Sequence, residues 1–94
     1  MKGARNIIGP QLRRIRSQSG LSQPAFAARC QRMGWDLSRD TLAKIESQDR
    51  WVADFELIFL AQALGVPLLS LLPDNRRVKT MAREFVLRME IGIS

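Results

Sequence analysis

Four polar side chains between positions 39 and 44 have types and spacing suited to recognition chemistry. In the run Ser38-Arg39-Asp40-Thr41-Leu42-Ala43-Lys44-Ile45, helical geometry puts Arg39, Asp40, Thr41 and Lys44 on the outer side. Leu42 and Ile45 fall on the inner side. A guanidinium offers a planar fork of donors, an ammonium a mobile point charge, a carboxylate only acceptors. Such groups, on a helix with an apolar back, suit base edges in a DNA groove and the phosphates beside it. Ser38 suits an N-cap for this helix.

The same residues argue against catalysis. The chain has no His and no Tyr, one Cys, scattered acids and no Gly-rich phosphate loop. No enzyme, catalytic residue, metal site, cofactor or small-molecule ligand is expected. Cys30 falls on an apolar stripe and reads as buried filler; a single cysteine forms no internal disulfide, which fits a reducing, cytoplasmic setting.

Helical signals supply the elements that must hold the 38–45 run. Ile8, Leu12 and Ile15 recur at helical spacing, with Pro10 in a first turn and Gly20 as a stop, so a first helix spans 8–18. Ser22 caps a second, with Pro24 in its first turn. Its stripe is Phe26, Ala27, Cys30 and Met33, and Gly34 ends it. The third starts at Ser38 and ends near Ser47 or Gln48. Asp54 caps a fourth, with Phe55, Ile58, Leu60, Ala61 and Leu64 inward and Gly65 as terminator. Pro67 opens a short fifth through Leu72, and residues 76–90 form a sixth. No strand is predicted. With 94 residues one small core is expected.

Charge points to a polyanion. The chain carries 15 Lys+Arg against 9 Asp+Glu, a net charge of +6, and twelve of the fifteen bases are arginine. Residues 1–20 hold +5, residues 54–73 hold −2, and no base occurs between Trp51 and Asn75. The first three helices are expected to face the partner and the 51–75 stretch to face away. No apolar run is long enough for a transmembrane helix, and the first 20 residues lack a signal-peptide pattern, so no membrane association is expected.

Residues 8–72 resemble the lambda repressor/Cro-like (XRE) family of helix-turn-helix DNA-binding domains. Four blocks carry the resemblance: Ile8 with Leu12-Arg13-Arg14-Ile15-Arg16; Gly20-Leu21-Ser22-Gln23 with Phe26-Ala27; Ser38 with Thr41-Leu42-Ala43-Lys44-Ile45-Glu46; and Leu60-Ala61-Gln62-Ala63-Leu64-Gly65-Val66-Pro67. The resemblance implies an all-α, five-helix bundle, here followed by a sixth helix, and a role as a sequence-specific, repressor-like transcriptional regulator binding double-stranded DNA as a homodimer. A protein-interaction module on the same fold, such as an antitoxin or adaptor, is the alternative; the bases on the first and third helices favour DNA.

By position, the family implies base readout by Arg39, Asp40, Ala43 and Lys44, although Asp40 and Lys44 also read as a plain i, i+4 ion pair. Phosphate contacts fall to Gln23, Ser38, Thr41, Arg50 and Arg14. Glu46 is expected to hold a first-helix arginine, and Trp51 to be core rather than a stacking platform. Two departures stand out. Ala27 and Leu42 are 15 positions apart, wider than the compact family form, so the second helix is longer or the turn wider, with Trp35 plugging the bundle. The glycine usual after Glu46 is replaced by Ser47-Gln48-Asp49, so local side-chain bonding must make the bend.

Two domains of action are expected: 1–73 for DNA and a 74–94 extension. The extension's stripe of Val78, Met81, Phe85 and Met89 either covers the bundle or forms a dimer interface; an amphipathic membrane helix is disfavoured by the lack of Trp in the stripe.

Overall fold

Two serine caps open the two central helices. Ser22 Oγ accepts from Ala25 N at 3.2 Å and Ser38 Oγ from Thr41 N at 3.0 Å. The computed structural model describes residues 3–90, leaving aside the side chains of 75 and 88–90. Its α-helices are α1 (Gly9–Gln18), α2 (Gln23–Arg32), α3 (Arg39–Glu46), α4 (Asp54–Leu64) and α5 (Asn75–Glu90). The expected short fifth helix is a single 3-10 turn, Leu68–Leu71, so the helix predicted as the sixth is α5. No strand occurs among the described residues.

The core is one cluster. Ile8 and Leu12 meet Phe26 and Cys30 of α2, Leu42 and Ile45 of α3, Leu60, Ala61, Ala63 and Leu64 of α4, and Leu71 of the 3-10 turn. α3 is pinned by its inner face, because Leu42 and Ile45 are fully buried while Arg39, Asp40 and Lys44 are exposed. Burying a leucine or isoleucine contributes about 1.5–3 kcal/mol each, enough to fix the rotation of an eight-residue helix.

Five assignments are corrected by the packing. Met33, Phe55 and Ile58, predicted inward, are exposed; Phe55 is 72% exposed. α4 is apolar nearly all round, so periodicity alone does not choose its buried face. Asp54 is not the cap of α4: Ala53 holds the N-cap position, and Glu56 Oε1 accepts the Ala53 N–H at 3.0 Å. Trp51 is not core. It is 53% exposed and sets its ring edge-on to Phe85 of α5 at 5.8 Å.

The long connection between α2 and α3 is a wide turn, since α2 ends at Arg32. Trp35 packs on the core and its ring lies 5.9 Å from that of Phe59. Leu37, which helical periodicity does not reach because it lies outside every helix, is fully buried. Gln31 Nε2 donates to Leu37 O at 2.8 Å and Trp35 N to Cys30 O at 3.0 Å, which ties both edges of the turn.

Asn6 joins the start of α1 to the end of α3. Its Oδ1 accepts from Ile8 N at 3.1 Å and Gly9 N at 2.8 Å, and its Nδ2 donates to Ile45 O at 3.0 Å and Arg50 O at 2.9 Å. The bend after α3 turns at Gln48, which takes φ 64° where a glycine is usual. Gln48 Nε2 donates to Asn6 O at 2.9 Å, and Ser47 Oγ donates to Asp49 Oδ2 at 3.1 Å, so side-chain bonds hold the left-handed residue.

Gly9 is where α1 crosses the end of α3. A Cβ there would run into the carbonyl oxygens of Ile45 and, at 2.8 Å, Glu46. Both obstacles are backbone, so neither can swing aside. Gly9→Ala should destabilise the fold by about 1–3 kcal/mol or more, read from urea unfolding. An unchanged midpoint would show that α1 and α3 separate easily.

Candidate nucleic-acid interface

The position of α3 depends on a buried ion pair. Arg16 Nε donates to Glu46 Oε2 at 2.6 Å and its second terminal nitrogen to Oε1 at 3.0 Å, a bidentate pair with both residues buried. The remaining guanidinium nitrogen donates to Leu21 O at 2.7 Å. Gln23 Nε2 donates to Glu46 Oε1 at 3.0 Å. One carboxylate at the end of α3 thus holds the last part of α1 and the first residue of α2. The expected contact between Glu46 and a first-helix arginine is this one.

The pair also positions Gln23. A glutamine amide nitrogen has two N–H bonds, and Glu46 uses one. Gln23 stands at the first residue of α2, at the helix end whose dipole favours anions.

On the outer face of α3, Arg39, Asp40 and Lys44 are exposed, and Ala43 and Thr41 are half-buried. Asp40 and Lys44 form no ion pair with each other, and none of the three polar groups is paired among the described residues. Ser38 Oγ donates to Thr41 Oγ1 at 2.9 Å, so these hydroxyls share the helix entrance. Thr41, Lys44 and Arg50 line one groove with Arg5, Asp49 and Trp51.

Two predicted contacts stand differently. Arg50 is held bidentate by Glu56, both bonds 3.0 Å, and this hydrogen bonding lowers the Glu56 carboxyl below its usual range. Its charge is therefore partly offset. Arg14 is exposed on α1 but lines a different cleft, with Pro73, Asp74 and Arg77, which no α3 residue enters. Cys30 is buried, and burial pushes its thiol up to about 11 against the opposing pull of Arg29, so the thiolate is scarce at neutral pH.

Residues 12–71 match the helix-turn-helix family. The chain belongs to that family. Its domain is of the lambda repressor/Cro-like type, as the sequence blocks implied. Among solved structures, this helix-turn-helix is similar to the DNA-binding domain of BldD, at 31% identity and TM-score 0.63 over 78% of this chain and 100% of that one. It is also similar to a hypothetical transcription factor, NHTF, from Neisseria, at 29% identity and TM-score 0.65 over 83% of this chain and 85% of that one. No curated protein matches. The family is one of DNA-binding transcription regulators. None of the described helices is long and apolar enough to cross a membrane.

Within the helix-turn-helix, the sequence did not point to Asn6, whose signal is weak: an Asn shortly before Gly-Pro at a helix start.

Arg16→Met should cost about 3–5 kcal/mol, because Glu46 is then buried without its countercharge. Arg16→Met combined with Glu46→Leu should recover most of that loss in urea unfolding. A double variant as unstable as the single one would assign the effect to lost packing of Arg16 instead.

Proposed function

We propose that this helix-turn-helix is a repressor-like, sequence-specific regulator that lays α3 in the DNA major groove. The observation that carries the reading is the outer face of α3. Three exposed polar side chains, Arg39, Asp40 and Lys44, unpaired among the described residues, stand on a helix whose inner face is fully buried. Rigid presentation of free donors and acceptors is what base readout requires. Arg39 near the helix start would reach guanine edges, Asp40 a cytosine amine, and Ala43 a thymine methyl. Ser38, Thr41 and Gln23 would bond phosphates near helix entrances.

The charge layout supports the same orientation. The exposed bases of α1 and α3 contrast with α4 and the 3-10 turn, which carry no Lys or Arg. The similar domain of BldD is DNA-binding, which supports the DNA reading. Residues 1–73 would form the binding domain and 74–94 an extension.

For that extension, part of the predicted stripe is engaged inward. Val78 and Met81 are half-buried, and with Phe85 they line an apolar cleft beside Ile7 and Trp51. The side chain of Met89 lies outside the described residues. Phe85, Val86 and Leu87 remain exposed. A homodimer joined through this end of α5 would cover them and present two copies of α3 to a pseudo-palindromic site.

Selection of bound sites from a random duplex pool tests the readout. Wild type should enrich a motif, and Arg39→Ala should flatten one or two of its positions, at roughly 1–3 kcal/mol of lost discrimination. An unchanged motif with Arg39→Ala would remove α3 from the reading role, and no enrichment would remove sequence-specific binding. Leu87→Glu should shift a dimer to monomer in sedimentation equilibrium; a wild-type monomer at all concentrations would end the dimer proposal.

A further inference from the structure

The groove beside α3 contains a base that the sequence reading did not use. We infer that Arg5, with Lys44 and Thr41, forms a seat for one phosphate of the DNA backbone, an inference that rests on the DNA-binding reading above.

Arg5 precedes α1 by several residues, yet it lines the same groove as Thr41 and Lys44 of α3. Backbone bonding puts it there. Arg5 N donates to Gln48 O at 3.0 Å, and the neighbouring Asn6 is tied to Ile45 O and Arg50 O. The N-terminal segment is thus fastened along the end of α3, and the Arg5 stem is partly covered. Its guanidinium makes one long bond, to Asp49 O at 3.4 Å. Among the described residues no carboxylate pairs with it.

The charge balance of the groove follows from its lining. Arg50 is offset by Glu56 in a bidentate pair. Asp49 contributes one negative charge, and its Oδ2 accepts from Ser47 Oγ at 3.1 Å. Arg5 and Lys44 are the two bases of the groove without an ion pair among the described residues. The hydroxyl of half-buried Thr41 adds a neutral donor. Two cationic groups and a hydroxyl around one groove match a phosphate oxygen set. The groove runs from Thr41 past Lys44 to Arg50 beyond the helix, while Arg39 and Asp40 stand at the start of α3. A duplex engaged by Arg39 would run its backbone past such a flanking groove, and Arg5 would set the register of α3 without reading sequence.

The test uses the full chain and a short random-sequence duplex, with affinity measured across a salt series. Arg5→Ala should weaken binding about five- to tenfold and make the log–log salt slope shallower by about one unit, since one fewer counterion is released. Arg5→Gln, which keeps the stem and a donor for Asp49 O, should show the same loss of slope, and Arg5→Lys should restore it. The motif selected from the random pool should be the same for all three variants. A wild-type slope in Arg5→Ala, on a wild type that does bind, overturns the seat and leaves the DNA reading standing. So does a loss confined to particular base positions. A wild type that fails to bind at low salt overturns both.

Discussion

One buried carboxylate sets the geometry of α3. Glu46 ends α3, where the helix dipole disfavours a negative charge, and it is buried. Such a group is tolerable only with a full set of donors. Arg16 supplies two charge-assisted bonds and Gln23 a third. The result fixes three elements against one another, because each donor comes from a different helix. The rotation of α3 is set separately, by Leu42 and Ile45 in the core. Together they decide which side chains face outward.

A second lock works from the other side of α3. Asn6 accepts from the amides of Ile8 and Gly9 at the start of α1 and donates to Ile45 O in α3 and Arg50 O just beyond it, while Gln48 turns the chain at positive φ and bonds back to Asn6. Most proteins would place glycine at such a bend. Here a side-chain bond offsets the backbone strain. The same lock fastens residues 5 and 6 alongside the end of α3.

The wide turn between α2 and α3 shows how a departure from the compact motif is absorbed. Added chain with exposed polar backbone would loosen the motif. Leu37 enters the core instead, Trp35 packs against Phe59, and Gln31 bonds the Leu37 carbonyl. The turn therefore carries its own anchors, and Ser38 still meets α3 in register as its cap. At the other end of the molecule the packing is thinner. α5 sets half-buried Val78 and Met81 beside Ile7 and Phe85 against Trp51, and leaves Phe85, Val86 and Leu87 exposed.

The sequence by itself determined the helices, the two serine caps and the identity of the outer face of α3. These are local properties: a cap needs one side chain and the next turn, and Leu42 with Ile45 define an inside at helical spacing. It also pointed to a contact between Glu46 and a first-helix arginine, because a carboxylate facing DNA would be repelled. Only the tertiary structure decided which arginine that was, which face of the apolar α4 is buried, and that Trp51 serves α5 rather than the core. It also decided that Arg50 is held by Glu56 and that Arg14 lines a cleft away from α3. Those choices depend on groups far apart in the chain. Spacing along a helix reports what a residue can face; only packing between helices reports what is there to meet it.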